Sequence, residues 1–440
     1  MHNFNEYSGW TTAPSSMRKA LQGNERADVA IIGGGFTGLM AAITLSEQDV
    51  DVVLLEQQFC GFGASGRNAG HLTPTIGRDI VYCLRRFGKE RGLKLAHFAE
   101  KAVHFTEEVF EQYAIDCDYL PCGNVIGGVH PKQRAQLAKA AELVNSVGLE
   151  MNFLDENAVR ERGLPSAIQF ALQETAGGLL DPSKYVFALR RIAIEKGIRI
   201  FENSAVTEMI EGETVTLKTQ GGSVTADKVL MATNAFSAPT LNKMRYSVVP
   251  VRVTLFNTKP LSDAELQQIG WQGREGIYTA HEALESYRLT PDNRIAGGSK
   301  WVQYGFGSKL LTGNNAQLFD DFQSLVNIRF PELPNLEIES FWGGWIGITL
   351  DMLPICGVTG KAQNVFYSLG YNGHGVAQAS LMGRNMALEM LGQPQADVEL
   401  LQRTRIPLPP EPLRWLGVNG LVQAMLFKDG FVDRDLSAQR

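Results

Sequence analysis

Cysteine is scarce. Five residues in 440 (Cys60, Cys83, Cys117, Cys122 and Cys356) are odd in number and irregularly spaced. That argues against a disulfide framework and for a reducing compartment, so a cytoplasmic location is expected; Cys117 and Cys122 could bridge as neighbours. No run of about 20 apolar residues exists, so no membrane-spanning helix is expected. Met1–Asn24 lacks a basic stretch followed by an apolar one, so no secretory signal is expected. No Lys/Arg-rich block occurs, and 41 basic against 47 acidic residues give a net charge of −6. A nucleic-acid partner is therefore not expected. G-x-S-x-G, H-E-x-x-H and Cys/His clusters are absent, which removes support for hydrolytic and zinc chemistry and for a bound metal. There is no internal repeat and no low-complexity tract.

What is present is an ordinary globular composition: 44% hydrophobic, 20% charged, with 45 glycines spread along the chain. The length suggests two or three domains. Ala27–Ile32 is a compact apolar run with β-branched residues, followed at once by glycines; it reads as a buried strand of a parallel sheet. Gly38–Glu47 looks helical and Asp51–Leu55 reads as a second buried strand, which together make a βαβ unit. Helices are expected over 89–113, 131–147, 182–196 (closed by Gly197), 314–330 and 375–391. Strands are expected at Ile198–Phe201, Val206–Glu211, Thr214–Thr219, Ser223–Ala226 (a hairpin turning near Gly221-Gly222), Lys228–Ala232 and Asn364–Ser368, and across the Val/Thr/Tyr-rich stretch 248–305. The strands of the first unit, of Lys228–Ala232 and of Asn364–Ser368 are expected to share one sheet. The expected fold class is α/β: a Rossmann-like, doubly wound nucleotide domain assembled from residues 1–80, 175–235 and 340–393. An α+β substrate domain with an antiparallel sheet comes from 81–174 and 236–339. Residues 394–440 form a tail with a Pro-rich hinge at Pro407–Pro412.

The central motif is Gly33-Gly34-Gly35-Phe36-Thr37-Gly38, which fits G-x-G-x-x-G. Gly33 permits the tight turn, Gly35 lets backbone approach a diphosphate, and Gly38 lets the helix pack close to the strand. The helix start then points free N–H groups at the phosphates. Glu56, with Gln57 beside it, ends the next strand 18 residues after Gly38, placed to accept hydrogen bonds from ribose hydroxyls. A carboxylate there would repel a 2′-phosphate, so NADP is disfavoured. Ala42, Leu45, Val52 and Leu55 continue a pattern that resembles the long FAD-binding fingerprint. Asp49 stands where that pattern has glycine, and Asp tolerates the left-handed conformation a helix end needs.

Three further stretches carry a family resemblance: Phe62-Gly63-Ala64-Ser65-Gly66-Arg67-Asn68-Ala69-Gly70-His71; Lys228–Asn234, ending Ala232-Thr233-Asn234 where flavoproteins have Ala-Thr-Gly; and Gly370-Tyr371-Asn372-Gly373-His374-Gly375. Together, over residues 5–393, they resemble the D-amino-acid-oxidase-like superfamily of FAD oxidoreductases, the DAO family. With the Tyr7–Trp10 element, the chain is most like its γ-glutamylputrescine oxidase-like branch. The resemblance implies non-covalent FAD: relatives with covalent flavin carry a cysteine shortly before the Asp351 position, and residues 342–350 have none. It implies that Ala64–His71 wraps the flavin, with Arg67 the alternative of a solvated surface charge. Val206, in an Ala205–Met209 strand, meets adenine through its backbone or is ordinary core. Gly343, Gly344 and Asp351 approach the isoalloxazine. Gly373, His374, Gly375 and Val376 open the last helix beside the flavin, with His374 either serving that charge or only capping.

The implied reaction is oxidation of an amine C–N bond to an imine, with reoxidation by O2, giving H2O2, or by another acceptor. His71 is a catalytic candidate, the alternative being a solvent-facing side chain. Lys300 is the candidate for the lysine that assists oxygen in sarcosine-oxidase-like relatives, or else an exposed strand lysine. Amino-acid-oxidising relatives clamp a carboxylate with basic residues where this chain has Pro74 and Ala377. A polyamine or γ-glutamyl-amine is therefore favoured over a glycine- or sarcosine-like amino acid or a hydroxy acid, with Arg252 or Arg288 an alternative clamp. Tyr278, Tyr287, Trp301, Tyr304, Phe341, Trp342 and Trp345 serve an amine cavity or ordinary core. In the tail, Leu413–Phe427 presents an apolar helical face to a core, a subunit or a membrane. Few basic residues flank it, which weakens the membrane reading; a monomer or homodimer is expected.

Overall fold

The computed structural model describes residues 3–10, 13–237, 244, 246–313, 315–403 and 407–438, with side chains in the last stretch described through residue 434. Its first sheet runs Glu208–Ile210, Val215–Lys218, Gly222–Met231, Gly23–Ile32, Val52–Leu55, Arg199–Phe201, with Val365–Leu369 and Ile355–Thr359 added beside Gly222–Met231. The central strands are parallel. Their apolar runs are continuous because both faces are covered. Val29, Ile31, Val52 and Leu54 face one core, shared with the helices Phe36–Ser46, Pro182–Glu195 and Gly375–Met390. Ala30, Ile32, Val53 and Leu55 face another.

Ser223–Ala226 and Lys228–Ala232, read as two strands, are one ten-residue strand, Gly222–Met231. One edge pairs with Gly23–Ile32 along its whole length. The other edge pairs antiparallel with Val215–Lys218 and then parallel with Val365–Leu369. The strands expected in one sheet are thus hydrogen-bonded neighbours. Both non-glycine residues at glycine positions take the left-handed conformation: Asp49 has φ 55° and Asn234 φ 42°.

The second sheet has nine strands: Asn3–Asn5, Ile338–Ile348, Val249–Thr258, Ile295–Ser299, Glu285–Leu289, Gly276–Thr279, Asn124–Gly128, Phe170–Glu174 and Asn152–Leu154. It is antiparallel except where Asn3–Asn5 joins Ile338–Ile348 and Gly276–Thr279 joins Asn124–Gly128. Helix Ala316–Arg329 packs its Phe319 and Phe322 on that sheet against Phe256 and Phe341. The helix expected over 89–113 is the main part of Ile80–Gln112, broken at Gly88 (φ 80°). A short helix, Asp263–Ile269, stands inside the strand-rich stretch; its Ser262/Glu265 capping box is the signal that periodicity misses.

The tail helix extends over Leu413–Ala438. Its Val418 and Val432 pack against the apolar clusters beneath it, and charged groups hold it as well. Asp429 accepts from the N–H groups of Glu282 and Ala283, and Asp433 joins a buried cluster with Lys300 and Arg329. There Arg329 donates twice to Glu285 (2.7 and 3.0 Å) and Lys300 once (2.6 Å). Although burial opposes it, Arg329 and Lys300 hold the Glu285 carboxyl well below the usual carboxylate range. Leu413, Leu416 and Leu421 are left exposed. No helix among the described residues is long and apolar enough to cross a membrane, and all five cysteines are free.

Removing one cation from this cluster strands a buried charge. Arg329→Met is expected to lower stability by about 3–5 kcal/mol, measured by chemical denaturation; a loss below about 1 kcal/mol would show that the cluster is not a buried ionic lock.

Candidate functional site

The Gly33–Gly38 turn leaves the first sheet where a Cβ cannot be accommodated. Gly33 has φ 108° and faces the Ala232 carbonyl. A Cβ on Gly38 would overlap the Gly33 carbonyl oxygen, so the third glycine is what lets the helix start pack against the strand end. A Cβ on Gly35 would lie 2.8 Å from Ser65 Oγ. That oxygen accepts from Phe36 N–H (3.0 Å), which leaves the hydroxyl hydrogen free for an anionic acceptor above the helix start. The Glu56 carboxylate accepts from Gly34 N–H (2.8 Å) and Gln58 N–H (3.0 Å). Burial raises its pKa to about 7, with the nearby Glu202 adding in the same direction. Glu202, which sequence reasoning missed, is fully buried. It binds Arg190 through both oxygens and accepts from Cys60 N–H, bracing the loop after Glu56.

These residues open onto one cavity between the first sheet and the helix starts at Phe36 and Gly375. Of the residues expected at the cofactor, Gly33, Gly35, Phe36, Thr37, Glu56, Gln57, Ala64, Ser65, Asn68, Val206, Ala232, Thr233, Asn234, Gly373, Gly375 and Val376 line it. Ser204, Phe236, Trp345, Ile346 and Tyr371 were not on that roster and also line it. Tyr371 is held by Thr37 and Ser368 hydroxyls, each at 2.8 Å. Asn234 Oδ1 accepts from Gly370 N–H (2.9 Å), tying two cavity walls together. Trp345 Nε1 is buried without an acceptor among the described residues, so a ligand carrying carbonyl or ring-nitrogen acceptors would satisfy it. A glycine cradle at two helix starts, an orphan indole donor and an acceptor carboxylate fit a flavin dinucleotide.

Other expectations are corrected. Val206 lies in the loop before Glu208–Ile210, not in a strand. Gly38 supports the turn from behind the cavity. Gly344 packs on the Arg67 side chain. Ala69 and Gly70 lie outside the cavity wall; a Cβ on Gly70 would strike Arg288. Asp351 is bound by Arg403 and is not at the cavity. Arg67 is no surface charge: it is 5% exposed and donates to the carbonyls of Phe62, Gly343 and, from the N-terminal arm, Glu6. Trp10 of that arm donates to Asn68 O (2.8 Å), fastening the arm over the loop. Lys300 sits in the ionic cluster with Glu285 and Asp433, away from the cavity wall. His281, Glu285 and Asp433 could together hold a metal ion, but Arg329 and Lys300 already occupy the carboxylate oxygens and oppose a cation.

His71 does not face solvent; it is 7% exposed. Asn124 Nδ2 donates to Leu72 O, so Asn124 Oδ1 accepts from His71 Nδ1–H (3.0 Å) and Nε2 keeps its lone pair. Burial lowers the His71 pKa to about 3. His374 makes no side-chain cap; its Nδ1 donates to Asn372 O (3.2 Å). Among the described residues, Arg67, Arg252 and Arg288 are all buried and none has a carboxylate partner, while Arg67 Nη2, Arg252 Nε and Arg288 Nε lack acceptors. Ala377 packs into the helix core instead of facing a substrate.

A family model described as FAD dependent oxidoreductase, DAO, matches residues 28–388. The chain is 32% identical over 366 residues to the gamma-glutamylputrescine oxidoreductase of Escherichia coli, spanning 82% of each chain. It is 27% identical over 389 residues to a probable oxidoreductase, OrdL, of Haemophilus influenzae, spanning 87% of each. In fold it is similar to glycine oxidase from Geobacillus kaustophilus, with TM-score 0.73 at 18% identity over 86% of this chain and 100% of that one.

A ligand donating hydroxyl hydrogen bonds to Glu56 favours its carboxylate over its acid. Without those donors the raised pKa stabilises the apoprotein at low pH, an effect lost as pH rises from about 4.5 through about 7. FAD affinity is therefore expected to fall as pH is lowered from about 8 to about 6, and Glu56→Gln is expected to flatten that profile, read by quenching of FAD fluorescence. A pH-independent affinity in the native chain would separate Glu56 from the cofactor.

Proposed function

The chain belongs to the DAO family of FAD-dependent oxidoreductases, and from that premise we propose that it oxidises the C–N bond of an amine of the polyamine or γ-glutamyl-amine class. Bound FAD supplies the two-electron acceptor for the C–H bond next to nitrogen. The carrying observation is the cavity itself: its glycine-lined, Glu56-bearing end suits a dinucleotide, and Trp345 at its other end stands opposite Arg252 in the sheet and follows Gly343 and Gly344, which lie beside Arg252 and Arg67.

The cofactor-binding part is assigned to residues 1–80, 175–235 and 340–393, and the substrate-facing part to 81–174 and 236–339. Residues 33–38 and Ser65 hold the diphosphate, Glu56 the ribose, the backbone at Val206 the adenine, and Gly373–Val376 the ring system. Among the described residues no cysteine or histidine lines the cavity, and Cys356 Sγ meets Val398 O; both support non-covalent binding. His71 accepts an N–H without retaining the proton at neutral pH, because burial keeps it neutral. It is thus a positioning acceptor, not a proton store.

The unpaired N–H groups of Arg67 and Arg252 favour a substrate that carries an anionic group besides its amine. Arg252 stands opposite Trp345 in the sheet register, so the two share a face. A γ-glutamyl amine offers both ends. The amine loses two electrons and two protons to become an imine, and water hydrolyses the imine to a carbonyl compound and an amine or ammonia. O2 or another acceptor takes the electrons. The free cysteines agree with cytoplasmic placement, as a monomer or homodimer.

Anaerobic addition of γ-glutamylputrescine or putrescine is expected to bleach the flavin band, with glycine, sarcosine and hydroxy acids slower. Bleaching by hydroxy acids and not by amines would overturn the assignment. Acid precipitation is expected to leave the yellow colour in the supernatant; flavin in the pellet would show a covalent bond.

A further inference from the structure

The helix that supplies Gly375, Val376 and Ala379 to the cavity wall also carries Gln378, which meets Glu174 through Thr75. We propose that Glu174, Gln378 and His71 form a seat for an alkylammonium group of the substrate. The seat rests on the amine-oxidation reading and adds to it the residues that recognise the amine's charge.

Strand register assembles the seat. Asn124 stands opposite Glu174 on one neighbour and Gly276 on the other. Opposed residues share a sheet face, and Tyr278, two residues beyond Gly276, shares it too. His71 lies over this face, bound to Asn124. Position 276 must be glycine here, since a Cβ would overlap both Asn124 Oδ1 and the His71 ring. The backbone is cleared so that the imidazole can settle onto the sheet.

Each group then lacks what an ammonium offers. Glu174 is half-buried and, among the described residues, accepts from one side chain, Thr75 Oγ1 (3.1 Å), and pairs with no cation. Burial raises its pKa to about 7, with Asp79 adding in the same direction. Gln378 is fully buried. Its amide nitrogen donates to Thr75 O (2.7 Å) and His374 O (2.9 Å), which fixes its orientation and leaves Oε1 without a donor among the described residues. His71 Nε2 is likewise a buried lone pair without a donor among the described residues. The Tyr278 ring lies 4.6 Å from the His71 ring and 6.3 Å from that of His374, a surface suited to a cation.

Arg288, a cation that acts on His71, spends its Nη1 on the carbonyls of Ala69, Gly70 and Leu180, while its Nε has no acceptor among the described residues. Arg78 acts on His374 from the outer side, opposed by Asp79. An anion would meet three acceptors; an ammonium, with three donors, complements them. Gln378 shares its helix with Gly375, Val376 and Ala379 of the cavity wall, so the seat adjoins the cofactor end.

The test uses the holoenzyme and tert-butylammonium, which has N–H donors but no hydrogen on the carbon next to nitrogen and so cannot be oxidised. Binding is read by calorimetry and by the flavin difference spectrum. Native protein is expected to bind it, to bind tetramethylammonium more weakly and tert-butanol not measurably. Glu174→Gln and, independently, Gln378→Met are expected to weaken the ammonium by about tenfold or more, with flavin content unchanged. Equal binding of tert-butanol, or unchanged affinity in both variants, overturns the seat. If amines bleach the native flavin while both variants keep the native KM, the seat alone fails. If no amine bleaches the native flavin, the amine reading itself fails.

Discussion

The contact between the start of the helix at Phe36 and the end of the strand at Ile32 governs the rest. Gly38 has no side chain to hold the helix away from the Gly33 carbonyl, so the first helical N–H groups stand at the edge of the sheet, where a diphosphate can meet them. Glu56 reinforces the turn by accepting from Gly34 N–H. Ser65 crosses from the next loop to Phe36, which brings the Ala64–Asn68 stretch over the same cavity. The N-terminal arm fastens that stretch from outside through Trp10 and Glu6.

A second constraint is the distribution of uncompensated polarity around the far end of the cavity. Buried charges and lone pairs are costly unless something meets them. Here unpaired arginine N–H groups stand on the Gly343 side and at Arg288, and acceptors at Glu174, Gln378 and His71. By contrast, the charged cluster around Glu285 is satisfied internally and holds the tail helix in place. One polar group therefore serves architecture and the other is built for a ligand.

The first βαβ unit, the Gly33–Gly38 turn, Glu56 and the left-handed Asp49 were legible in the sequence because local spacing decides them. So were most helices and the sharing of one sheet by three distant strands. Lys300 was misplaced because its surroundings come from Glu285, Arg329 and Asp433, 15, 29 and 133 residues away in the chain, which no local pattern reports. Glu174 and Gln378 carried no motif at all; register and a neighbouring carbonyl pair give them their character. Val206 shows the intermediate case: the right residue at the cavity, on a loop where alternation suggested a strand.

The account is tested most directly by the structure of the purified protein with FAD. It predicts one FAD per chain, with the diphosphate over the amides of residues 35–37 and the ring system beside Trp345 and Gly373. A cofactor bound elsewhere, or a cavity that excludes it at saturating FAD, would contradict it.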